Sequence, residues 1–381
     1  MASDKRDTVR SPPGLRHLGA LLFVLFGFAA EAASGQAGNA VPLPAREAFQ
    51  PPLDDALPTY QPCLAQPLHG TFDGSVPAIL PDLTNRWIAA FQEQHPDVHL
   101  RTPPPYLAPQ GRLNPSLQQF LDAQSDFAFV SRDISPADTS AYLRSHGMDA
   151  VPIPVVGGSW RHFGFIDAVG VIVNAVNPVQ ALTLAQLDAV FSQSRLRGHD
   201  AVHTWGDLGV VGWSDKPVHV AGAAAWVGKE PSARAIFMHD AVLSVGPLKG
   251  QWRDDLHANG KEADVPRQVA ADPYAIGFTG LGHLTAGVKA IAISQGGEAV
   301  APSDENVSLG RYSLARVGYI LLSRKPGQPI APALREFVRF MLSREGQQIV
   351  LDQGIMLPLR ARQVDMARQQ LSESGDARGC E

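Results

Sequence analysis

Cysteine is nearly absent: the 381 residues hold two, Cys63 and Cys380. Neither stands at metal-ligand spacing from another cysteine or a histidine, which excludes a zinc ribbon and a Cys-x-x-Cys redox centre. Charge is sparse at 18%, aromatics make up 7%, and 32 Lys and Arg stand against 37 Asp and Glu for a formal net charge of −5. With no basic run to follow a phosphate backbone, nucleic acid is excluded as a partner. Beyond residue 32 no apolar stretch approaches the roughly 18 residues that a membrane-crossing helix needs. Catalytic signatures are missing too: there is no G-x-S-x-G, no H-E-x-x-H and no G-x-x-x-x-G-K-[ST]. The run Gly280-Leu-Gly-His-Leu-Thr-Ala-Gly287 has its third glycine misplaced for a dinucleotide loop and reads as a tight turn after a strand at 275–279. The twelve histidines are scattered, and His162, His239 and His283 read as surface or packing residues. No nucleophile, metal or cofactor is called for, and the expectation is a non-enzyme.

What is present begins with an export signal. Lys5, Arg6, Arg10 and Arg16 precede an apolar run from Leu18 to Ala30, and Ala30-Glu31-Ala32 offers small residues for cleavage after Ala32. Residues 1–32 are therefore expected to be a signal peptide and the mature protein periplasmic. Residues 33–67 read as a Pro-rich linker, since Pro42, Pro44, Pro51, Pro52, Pro58 and Pro62 remove donors and block helix. In an oxidising compartment Cys63 and Cys380 are compatible either with a bridge between the chain ends or with two unpaired thiols.

From Leu68 the pattern alternates strand and helix. "LHGTFDGS" (68–75) is a strand and loop; Leu83, Trp87 and Phe91 recur at helical spacing; "DVHLRT" and "SDFAFVSRDIS" (125–135) are further strands. This βαβ order predicts parallel pairing. The most regular unit runs from Asp167 to Ser192. It joins an apolar run (Val169–Val173), a turn (Asn174–Pro178), and a helix that Thr183 and Gln186 start with a capping box. "PIPVVGGSW" (152–160) carries the chain into a second lobe, and "GYILLS" (318–323) carries it back. In the second lobe a helix is expected over Pro231–Leu243; after the return, Leu334, Phe337 and Met341 line one helix and Ser343 caps another that stops at Gly354. The fold class is α/β, two lobes with two chain crossings and a cleft between them. The first lobe takes residues 68–155 and 311–360, the second 156–310, and 361–381 is a C-terminal tail.

Three blocks then carry a resemblance: "VGVIVNAVNPVQALTLAQLDAVFS" with "HTWGDLG" (203–209), "ADPYAIGFTGLGHLTAGVKAIAIS" (271–294), and "YSLARVGYILLSRKPGQPIAPALREFVRFMLSREGQQIVLDQGIMLPL" (312–359). They resemble the periplasmic phosphate-binding proteins of ABC importers, in family order. The resemblance implies the type II periplasmic-binding-protein-like fold, a monomer, a small oxyanion ligand such as phosphate, and an ABC permease as partner. It also implies where the ligand sits: a loop before the first helix, a Gly-Ser-rich loop after the second strand, a Ser-Arg or Ser-Asp pair ending the third strand, and a loop opening a second-lobe helix. Ser131 and Arg132 match the third of these, and Arg132 is expected to balance the ligand's charge. Ser75 stands in the first; at the fourth, Lys229 with Ser232 at a helix start either forms a replacement anion site or leaves Lys229-Glu230 as a solvated pair at a loop edge. The other loops depart from the pattern. That leaves a second expectation open, a degenerate lobe pair acting as a sensor or protein-interaction module without tight phosphate binding.

Overall fold

The computed structural model describes residues 45, 49–62, 66–103, 115–132, 134–223, 232–259 and 261–373. The export signal, both cysteines and Lys229 lie outside these residues. Lobe 1 is built from both ends of the folded chain. Its first part runs β1 (Gly70–Ser75), α1 (Pro81–Gln94), β2 (Val98–Arg101), α2 (Pro115–Leu121), β3 (Phe127–Val130), α3 (Pro136–His146) and β4 (Asp149–Gly157). Lobe 2 follows with β5 (Val169–Asn174), β6 (Ala181–Thr183), α4 (Leu184–Phe191), β7 (His219–Ala223), α5 (Ala233–Met238) and β8 (His257–Asn259). It continues through α6 (Asp264–Ala271), β9 (Ala275–Gly280), β10 (Val288–Ala290), β11 (Ala292–Ser294) and α7 (Asp304–Ser308). The chain returns to lobe 1 as β12 (Val317–Arg324), α8 (Pro332–Met341), α9 (Arg344–Gln353) and α10 (Ala361–Glu373).

Each lobe holds a five-stranded sheet, in the orders β2-β1-β3-β12-β4 and β10-β5-β9-β7-β8. The parallel pairing expected from βαβ order holds for β1 with β2 and β3, and for β7 with β8 and β9. Both sheets are nevertheless mixed. β12 lies antiparallel between β3 and β4, and β5 antiparallel to β9. The reason is the crossing: a strand that arrives from the other lobe enters at the edge where the outgoing strand left, so it runs the opposite way. In consequence the carboxyl ends of β1, β3 and β4 share an edge with the start of β12. The carboxyl ends of β7, β8 and β9 likewise share one with the start of β5. The two crossings join these two edges, which is where ligands bind in open α/β sheets.

The crossings are pinned to each other and to both cores. Gly158 N–H donates to the Arg316 carbonyl at 2.8 Å, Val169 N–H to the Leu314 carbonyl at 3.0 Å, and the Tyr312 hydroxyl to the Val169 carbonyl at 2.9 Å. Gly158 has no room for a side chain, because a Cβ would overlap the Ile166 carbonyl. Phe165 and Ile166 are buried in the lobe 1 core, while Tyr312 and Leu314 are buried in that of lobe 2.

Helix α1 buries Leu83, Trp87 and Phe91 as their spacing requires; Trp87 stacks on Phe129 at 5.8 Å and its indole N–H donates to the Gly346 carbonyl at 2.8 Å. Thr183 and Gln186 close the expected capping box on α4, Ser343 caps α9, and Gly354 ends α9 with φ of 82°. The helix expected over 231–243 is shorter: Ser232 caps α5, and His239–Leu243 widen into a π turn. The expected tail after 360 is a correction. Residues 361–373 form α10, because Val364, Ala367 and Leu371 recur at helical spacing and bury against lobe 1. The Pro-rich segment is also held at its end: Leu57 is buried in the same core, and the Pro58 carbonyl accepts from Arg344 N–H at 2.7 Å. Among the described residues no helix is long and apolar enough to cross a membrane.

Candidate functional site

Four charged side chains from four separate stretches of sequence meet where the lobe edges face each other. Arg234, on the first turn of α5 and 7% exposed, is gripped by the carboxylates of Asp167 and Glu262. Asp167 ends the first crossing and is 1% exposed; its other oxygen accepts from Gly282 N–H at 3.0 Å. Glu262 stands between β8 and α6, after a strand that points at the same edge. Burial pushes the Arg234 guanidinium below its usual range against the pull of Asp167, and Arg316 nearby adds to the lowering. Burial, with Arg234 beside it, also holds His283 below the ordinary histidine range; its Nε2 lies 3.8 Å from the Glu262 carboxylate.

Arg316 is the fourth and differs from the others. It is buried at the last residue of the second crossing, and its Nη2 donates to the Ser131 carbonyl at a long 3.3 Å. Its guanidinium lies 5.9 Å from the ring of Phe237 on α5, so it bridges the end of β3 to lobe 2. Its buried Nε has no hydrogen-bond partner, and no carboxylate forms an ion pair with it among the described residues. A buried cation without a counterion is costly, and an anion supplied from outside relieves that cost.

The described residues among the remaining sequence candidates make contacts of their own. The Ser75 hydroxyl, at the end of β1, donates to the Ser116 carbonyl at 2.8 Å. Ser131 contributes its carbonyl to Arg316. The Arg132 guanidinium turns to Asp138 at 3.0 Å, the same carboxylate that completes the Ser135 capping box of α3. Ser232 accepts from Ala235 N–H at 3.0 Å as the α5 cap. Lys229 lies outside the described residues. Among the described residues no group of three His, Cys, Asp or Glu is placed to hold a metal ion.

Backbone geometry supports the arrangement. Ile166, just before Asp167, sits at φ of 57°, a left-handed conformation that costs a β-branched residue on the order of 1–3 kcal/mol. It persists because the side chain is held in the lobe 1 core. Gly280 packs directly against the ion pair, where a Cβ would overlap both the Asp167 carboxylate and the Arg234 guanidinium. Gly280→Ala is therefore expected to displace the pair and destabilise the protein by roughly 1–3 kcal/mol. A thermal melt matching wild type would show that the pair has slack to move.

Sequence reasoning marked none of Arg234, Arg316, Asp167 and Glu262 as site residues. Gly280 at the carboxyl end of a strand was the one local signal that something presses on that edge.

A family profile described as a PBP superfamily domain matches residues 68–345. The phosphate-binding protein PstS of Pseudomonas aeruginosa is 28% identical over 323 residues, covering 84% of this chain and 92% of that protein. Protein SphX of Synechococcus elongatus is 28% identical over 238 residues, 60% of this chain and 62% of its own. Among solved structures, PstS from Borrelia burgdorferi superposes with a TM-score of 0.45 at 15% identity, covering 77% of this chain and all of that one.

Proposed function

We propose that this chain, which belongs to the PBP superfamily, is a periplasmic solute-binding protein that closes its lobes over phosphate or a related oxyanion for an ABC importer, and is not an enzyme. The observation that carries the reading is Arg316, a buried guanidinium between the lobes with an unpartnered Nε and no carboxylate of its own among the described residues. Such a group suits an oxyanion, which accepts several charge-assisted hydrogen bonds from a planar donor fork. Ser131, Arg132, Ser232 and Ser75, with Lys229, are the further candidate contacts. Residues 1–32 are the export signal on this reading, 68–155 with 311–360 the first lobe, and 156–310 the second.

The test is a thermal melt of the mature protein against phosphate, sulfate, phosphonates and phosphate esters. A ligand at 100 times its Kd adds about 2.7 kcal/mol of stability. At least one oxyanion is expected to raise Tm; if none does, the transport reading is wrong. One observation favours a second reading, a sensor or protein-binding lobe pair without a tight anion: Arg234 and Arg132 are both already paired with carboxylates. The same titration separates the two.

A further inference from the structure

Charge at the lobe junction is balanced but not evenly spread. Arg234 and Arg316 stand against Asp167 and Glu262, so the four described groups sum to zero. On the lobe 2 side, one guanidinium faces two carboxylates, which leaves an excess negative charge around Glu262. Arg316, in contrast, carries an unmatched positive charge where β3 and the second crossing meet. The junction is a dipole. An inorganic dianion satisfies one end and leaves the excess negative charge of the other unbalanced.

The side chains beside Glu262 fit an organic, proton-rich group. His283 Nε2 lies 3.8 Å from its carboxylate. The ring of Phe163, 60% exposed on the first crossing, stands 4.3 Å from the His283 ring and 5.9 Å from the Arg234 guanidinium. An exposed aromatic face attracts a cation, and a carboxylate with two oxygens retains acceptor sites after one guanidinium contact.

We propose that Glu262 is a specificity-determining residue that adapts the cleft to a zwitterionic organic phosphate or phosphonate, with the oxyanion on Arg316 and an ammonium group toward Glu262 and Phe163. This rests on the oxyanion reading of Arg316. The test is calorimetric titration, at constant ionic strength, of inorganic phosphate, 2-aminoethylphosphonate and propylphosphonate, which matches the second in length but lacks the ammonium. Wild type is expected to bind the aminophosphonate at least about tenfold tighter than either other ligand, a preference of some 1.4 kcal/mol. Glu262→Gln is expected to lose that preference and to tighten inorganic phosphate. A wild-type protein that binds phosphate as tightly as the aminophosphonate overturns the proposal and leaves the oxyanion reading standing. So does a Glu262→Gln protein with the wild-type ratio. Binding of none of the three overturns both. The wild-type ratio decides the matter even where the variant does not fold.

Discussion

Replacing Arg316 with methionine is expected to abolish the rise in Tm that an oxyanion gives the wild type, while the free protein melts no lower than before. The two halves of the expectation have one cause. Arg316 is buried, and among the described residues its Nε is unpartnered and its one hydrogen bond, to the Ser131 carbonyl, is long at 3.3 Å. Without a ligand, the folded state carries a desolvated charge that little inside the described protein offsets, so methionine of similar length removes a cost. With a ligand the same guanidinium is the counterion. Truncating one partner of a buried charge-assisted pair costs about 2–5 kcal/mol, or at least roughly 30-fold in affinity. Calorimetry against the best oxyanion, beside a melt of the free variant, measures both. An unchanged affinity would mean that the anion sits elsewhere. A collapsed melt would mean that Arg316 is a structural brace between the lobes.

The elements that were legible in the sequence are those whose signal is local. The apolar run Val169–Val173 is a strand buried along its whole length, Thr183 and Gln186 cap α4, and Leu83, Trp87 and Phe91 line one face of α1. Each is decided within a few residues by periodicity or by a side chain reaching its own backbone. The site was less legible because it is assembled across lobes. In sequence Arg316 is one arginine before an apolar strand, and it acquires a role only because β12 inserts between β3 and β4 and sets that residue against Ser131. Asp167, Arg234 and Glu262 are brought together by three connections in lobe 2, and no spacing rule links them. Arg132 shows a nearer limit. Its place at the end of β3 could be read, but Asp138 returns to it through the Ser135 capping box, a pattern present in the sequence six residues on.

The opposite sign of stability change is expected at Arg234. Both arginines are buried at the same junction, yet Arg234→Met leaves two carboxylates behind, those of Asp167 and Glu262, where Arg316→Met leaves none among the described residues. Asp167 is 1% exposed and, among the described residues, retains only the Gly282 N–H on its other oxygen. Breaking a buried pair by removing one partner costs about 3–5 kcal/mol, because the remaining charge cannot reach water. In a chain of this size that corresponds to a fall in Tm on the order of 10 °C. The double variant Arg234→Met with Asp167→Asn should recover part of the loss, since a neutral amide has no buried charge to compensate. A double-mutant cycle on thermal melts measures that coupling. If Arg234→Met melts with wild type, the carboxylates reach water through the cleft and the buried triad is not what holds the second lobe's edge in place.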